Sequence, residues 1–119
     1  TILPKNKKFY MFLKNENPNP PEKNIRITVS AKASGPYPLK VSEPITGKYW
    51  AEGPTCLEVD EYVYVYFDKY TEHKYGAVRS KNMVDWEDVS DQVSFPTGVR
   101  HGTAFKVSEE FFNTLTKNR

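Results

Sequence analysis

Residues 62–70 read YVYVYFDKY. Successive side chains of a strand point to opposite faces. The stretch therefore sorts into Tyr62, Tyr64, Tyr66, Asp68 and Tyr70 on one side and Val63, Val65 and Phe67 on the other. β-branched and aromatic residues suit a pleated surface, and bulk on both faces predicts a central strand covered on both sides. Working outward, Asp60-Glu61 makes a tight turn back to CLEVD (56–60), and KYGAVRS (74–80) follows a polar loop. IRITVSAKA (25–33) alternates Ile25, Ile27 and Val29 with Arg26, Thr28 and Ser30. KFYMFLK (8–14) and GTAFKV (102–107) read as further strands. The prolines and asparagines of NENPNPPEKN (15–24) exclude regular pairing there. Only SEEFFNTL (108–115) predicts a helix, with Ser108 as its N-cap and two glutamates in its first turn. The fold class is all-β with one short C-terminal helix.

The strands repeat. Aligning KKFYMFL with DEYVYVY sets Phe9 on Tyr62, and aligning ITVSAKASGPY with GAVRSKNMVDW sets Ser30 on Ser80 and Tyr37 near Trp86. Each unit runs aromatic strand, polar loop, strand ending in Ser, then a turn carrying one aromatic ring. A period near 50 residues with about four short strands is the footprint of a β-propeller blade, against the plainer alternative of two hairpins in a sandwich. The 119 residues hold about two to three such blades, and a propeller needs four or more to close its ring. The expected partner is therefore the remainder of the propeller, its N-terminal blades, or another copy of the chain.

Composition narrows the function. The net charge of +2 predicts no nucleic-acid partner, and no apolar run approaches the ~20 residues that span a bilayer, so no membrane partner is expected. A single cysteine, Cys56, excludes an intrachain disulfide and reads as a buried free thiol. Aromatic residues reach 14% of the chain, which suits a ring-lined carbohydrate site.

In order, WAEGPTCL (50–57), RSKNMVDWEDVS (79–90) and FPTGVRHGTAFKV (95–107) resemble the later blades of glycoside hydrolase family 43. The resemblance implies that residues 1–119 are the C-terminal part of a five-bladed propeller that cleaves arabinosyl, xylosyl or galactosyl linkages of plant polysaccharides. Exo or endo action and the choice of sugar stay open. It makes Glu52 the general acid of an inverting hydrolysis, which needs two carboxyl groups roughly 6.5–9.5 Å apart. The family's catalytic Asp base and its Asp modulator have no counterpart before Asp60, so the chain alone is expected to be inactive. His101 of the Arg-His-Gly stretch matches a channel histidine that helps hold a calcium ion through water; no other cofactor is implied. Secretion or a periplasmic location fits such a substrate.

The remaining candidates rest on their neighbours. Trp50 beside Glu52 is a candidate sugar-stacking ring, and Asp68, at the end of the aromatic strand, either lines the sugar pocket or caps the following loop. Arg100 binds a sugar hydroxyl or pairs with an acid. His73, in the polar loop TEHK, reads as exposed, and Trp86 as blade packing by its place in the repeat. Apolar Trp50, Ala51 and Pro54 around Glu52 predict desolvation, which raises a carboxyl pKa toward what a proton donor needs. The alternative function is a non-catalytic carbohydrate-binding or scaffold propeller. The fructan-cleaving propellers carry Glu-Cys-Pro at the acid, and Gly53 at the middle position disfavours them.

Overall fold

The computed structural model describes residues 1–117. Its strands are β1 (Ile2–Lys5), β2 (Lys8–Lys14), β3 (Asn17–Pro18), β4 (Pro21–Glu22), β5 (Ile25–Ser30), β6 (Glu52–Val59), β7 (Tyr62–Lys69), β8 (Lys74–Ser80) and β9 (Glu87–Asp88). A 3₁₀ turn covers Ser90–Gln92 and a helix, α1, covers Glu109–Thr116. Two antiparallel sheets dominate, in the orders β1-β2-β5 and β6-β7-β8-β9, and β3 and β4 form a minimal hairpin between β2 and β5. That hairpin corrects the expectation of an unpaired 15–24 loop. Its two-residue strands pair only Asn17 with Glu22 and Pro18 with Pro21, so prolines are tolerated in a ribbon with open edges.

The two sheets share a plan. Phe9 opposes Ser30 in the first and Val63 opposes Ser80 in the second. Both serines then turn the chain: Ser30 Oγ accepts from the Lys32 amide, and Ser80 Oγ from the amides of Asn82 and Met83. In the first sheet, the Ser42 and Ile45 amides donate to the carbonyls of Ile27 and Ile25, so residues 42–46 run along β5 much as β9 runs along β8. The repeat fails at its aromatic. Trp86 packs edge-on against Phe12, ring centroids 6.0 Å apart, whereas Tyr37 turns its hydroxyl to the Ala33 carbonyl. Trp86 has the first sheet to pack on, and Tyr37 meets no such neighbour among the described residues.

The core lies between the sheets. Phe12, Ile25 and Ile27 of the first sheet meet Val63, Val65, Phe67 and Val78 of the second, with Ile45 and Ala51 sealing the side. Each such burial stabilises by roughly 1.5–3 kcal/mol. β7 is central, as its sequence predicts, and Val63, Val65 and Phe67 are fully buried. Its tyrosine face departs from the expectation of a doubly covered strand. Tyr62, Tyr64 and Tyr66 stay half-exposed, with Tyr64 stacked on Tyr66, Tyr62 tilted against Tyr64, and Phe95 set edge-on to Tyr66.

Three boundaries also move. β5 stops at Ser30 rather than at residue 33, because the serine turn intervenes. β6 starts at Glu52, absorbing the Gly53-Pro54 step as an irregularity between Glu52 and Thr55. Residues 102–107, expected to be a strand, form no ladder: the Ala104 amide donates to the side-chain hydroxyl of Thr55 in β6 rather than to a neighbouring backbone. The helix appears where expected, Ser108 Oγ accepting from the Phe111 amide at 3.2 Å, yet none of its residues is buried. No helix among the described residues is long and apolar enough to cross a membrane.

Candidate functional site

Glu52 and Asp68 are cross-strand partners at the same end of β6 and β7, so both carboxylates leave one face of the sheet. Asp68 is fully buried. Its Oδ2 accepts from Arg100 Nε at 2.5 Å, while its Oδ1 meets no hydrogen-bond partner. His101 Nε2 lies 3.1 Å from Glu52 Oε1 and 3.9 Å from Asp68 Oδ2, and Arg100 Nη2 lies 3.6 Å from Glu52 Oε1. From the first sheet, Lys14 Nζ donates to Glu52 Oε2 at 2.8 Å. Residues far apart in sequence thus meet at one end of the inter-sheet core.

Gly53 makes this meeting sterically feasible. Its φ of +59° lies in the left-handed region that side chains resist. A Cβ there would sit 2.7 Å from His101 Nδ1. The glycine therefore permits both the kink after Glu52 and the seat of the imidazole. His101 itself has a φ of 47°, an uncommon conformation for a residue with a side chain.

The electrostatics run against the desolvation expected from the sequence. The Lys14 ammonium bonded to Glu52 holds its carboxyl below the usual carboxylate range, and the His101 contact acts in the same direction against the opposing effect of burial. Burial works against the Lys14 ammonium, but its bonds to Glu16 and Glu52 hold it above the ordinary lysine value. Glu16 also pairs with Lys23, so an alternating chain of charge runs Glu52, Lys14, Glu16, Lys23. In this chain Glu52 is a carboxylate at neutral pH.

Trp50 is 40% exposed, and its ring centroid lies 5.9 Å from that of Tyr70, whose face receives the Lys14 ammonium at 4.9 Å. An open indole thus stands beside the charged cluster. The sequence candidates Glu52, Asp68, Arg100 and His101 converge, with Trp50 adjacent. His73 is exposed, and Trp86 packs between the sheets, both as expected. Cys56 is half-buried rather than buried, and desolvation pushes its thiol up. Sequence reasoning missed Lys14. The signal was present: Lys14 shares the core-facing side of β2 with Tyr10 and Phe12, and a charge there needs a partner.

One oxygen or nitrogen each from Glu52, Asp68 and His101 lie within 4.8 Å of one another. These donors poorly suit a directly bound calcium. Arg100 and Lys14 already neutralise both carboxylates, and calcium takes 6–8 oxygen ligands. Only Asp68 Oδ1 stays free of them. Comparison with protein-family models, characterised proteins and solved structures gives no match to this chain.

Proposed function

We propose that the chain forms two blades and part of a third in a propeller resembling glycoside hydrolase family 43, and that Glu52 is the proton donor of its sugar site. Two antiparallel sheets of like order, each turned by a serine, support the blade reading. The observation that carries the site is the convergence of Glu52, Asp68, Arg100 and His101 beside the exposed Trp50 ring. The indole offers a flat apolar face to a sugar, and Arg100 offers donors to its hydroxyls. The substrate class is an arabinosyl, xylosyl or galactosyl oligosaccharide.

Inverting hydrolysis needs a protonated donor and a separate base. Within this chain Lys14 and His101 keep Glu52 ionised, and Asp68 is occupied by Arg100. Further carboxylates, the Asp base and Asp modulator of the resembled family, would add the negative charge that raises the Glu52 pKa. Residues 1–119 alone are therefore inactive in this proposal, and the catalytic unit includes those blades.

The ionised state of Glu52 also favours a second reading, a non-catalytic carbohydrate-binding propeller in which the carboxylate only accepts hydrogen bonds from sugar hydroxyls. Glu52→Gln in the protein that carries the Asp-bearing blades separates the two. Loss of general-acid help costs ~10²–10⁴-fold in rate. The loss should be large on xylo- or arabino-oligosaccharides and small on aryl glycosides, whose leaving groups depart without a proton. Equal losses on both substrates refute the proton-donor role. No hydrolysis by the unmodified protein, with binding retained, establishes the second reading.

A further inference from the structure

The end of the sheets that carries Glu52 also carries a cleft outside the charged cluster. β2 ends at Lys14, which bonds Glu52 at the start of β6, and the β3–β4 hairpin follows at once. Between that hairpin and residues 44–50, the segment leading into Glu52, lies a cleft of about 360 Å³. Pro21, Lys23, Pro44, Tyr49 and Trp50 are among its walls. Small-molecule sites span roughly 300–1,000 Å³, so the cleft has room for a sugar residue.

Bonds within the fold hold both walls in place. The Ala51 amide donates to the Lys23 carbonyl at 2.7 Å, and the Ile25 amide donates to the Thr46 hydroxyl at 3.1 Å. Tyr49 is fixed through its hydroxyl, which donates to Asp88 Oδ2 at 2.5 Å, and its ring stacks on Phe67. A Cβ at Gly47 would sit 2.7 Å from Tyr49 Cε1, so this glycine lets the ring close against its own loop. The cleft is thus formed before any ligand arrives, which lowers the ordering cost of binding.

Charge selects the ligand. Glu22 on one wall accepts from Arg26 Nη2 at 3.1 Å and from Asn15 Nδ2 at 2.9 Å, and Lys23 is paired with Glu16. Lys48 also lines the cleft, yet it is exposed and joins no ion pair among the described residues. The cleft therefore presents one uncommitted ammonium beside an exposed indole. The ammonium suits a carboxylate, through a charge-assisted hydrogen bond, and the indole suits the flat apolar face of a sugar ring. Trp50 also connects the cleft to Glu52, because its ring meets that of Tyr70, whose face receives the Lys14 ammonium. A short oligosaccharide seated at Glu52 thus reaches the cleft.

We propose that this cleft binds a uronosyl residue of the oligosaccharide, its ring against Trp50 and its carboxylate on Lys48. The inference rests on the sugar-site reading above, but not on the proton-donor role of Glu52, since only binding is measured.

The cleft lies wholly within this chain, so the chain itself is titrated, followed by NMR through the Trp50 indole N–H. The probes are two xylo-oligosaccharides of equal backbone length, one of them bearing a single glucuronosyl branch. The branched one should bind at least about tenfold more tightly. Lys48→Ala should remove that preference, and Lys48→Arg should keep it. Both replace an exposed side chain, so folding is preserved. High salt should shrink the preference as well, because Lys48 faces solvent. Equal binding of the two oligosaccharides overturns the inference, as does the absence of binding by either. A preference that survives Lys48→Ala puts the carboxylate elsewhere, on Arg100 or Lys14, and overturns it too. Each of these failures is distinct from failure of the proton-donor role, which the hydrolysis assay with Glu52→Gln reads separately.

Discussion

Replacing Gly53 with alanine tests the geometry that joins Glu52 to His101. Two costs are separable. The backbone cost arises because φ at Gly53 is +59°, where an L-residue loses about 1–2 kcal/mol. The contact cost arises because the new Cβ would lie 2.7 Å from His101 Nδ1, 3.1 Å from Cε1 and 3.3 Å from Cγ. Both ring atoms and ring nitrogen must retreat, and His101 is exposed, so the ring swings away at little further cost to folding. It thereby loses its 3.1 Å contact with Glu52. Gly98 supplies the control. Its φ is +80°, but an added Cβ meets nothing within 4 Å, so Gly98→Ala carries the backbone cost alone. Urea unfolding should show both variants destabilised by about 1–2 kcal/mol. The ring-proton shifts of His101, followed by NMR against pH, should lose their acid-range response to Glu52 ionisation only in Gly53→Ala. Gly53→Ala with native stability and an unchanged His101 response would refute the steric account of the site. Equal loss of the response in Gly98→Ala would refute it as well.

Two other outcomes check the fold and the charge cluster. Phe67→Ala empties a fully buried position in the inter-sheet core and should cost about 3–5 kcal/mol, read as a lowered urea midpoint. An unchanged midpoint would show that the two sheets do not share that core. Because the folded-state pKa of Glu52 is depressed, the unfolded chain takes up its proton first as pH falls. The stability from this pairing is thus full above the ordinary glutamate range and is lost as pH drops through the depressed value. Glu52→Gln should flatten that acid limb in stability measured against pH, and an unaltered limb would show that Lys14 does not hold the ionised form.

Much of the fold is local in origin. YVYVYFDKY could be read as a central strand because alternation of Val63, Val65 and Phe67 with the tyrosines is imposed by the period-two geometry of the backbone. Ser108 likewise announced α1, since a hydroxyl that accepts from the Phe111 amide acts within one helical turn. The serine turns after β5 and β8 are visible as a repeat for the same reason. Glu52, Asp68, Arg100 and His101 were each legible as candidates from the residues around them or from the family resemblance.

What only the tertiary structure decided depends on residues distant along the chain. Whether Glu52 is protonated was read from apolar neighbours in sequence, but Lys14, thirty-eight positions away, governs it through a direct bond. GTAFKV carries the alternation of a strand, yet a strand needs backbone pairing, and among the described residues 102–107 join no ladder, the Ala104 amide going to the Thr55 hydroxyl instead. The tyrosine face of β7 is as bulky as its valine face, and the sequence treats them alike. Burial separates them because the first sheet packs on only one side. Periodicity determines which side chains share a face; what lies against that face is settled by non-local packing.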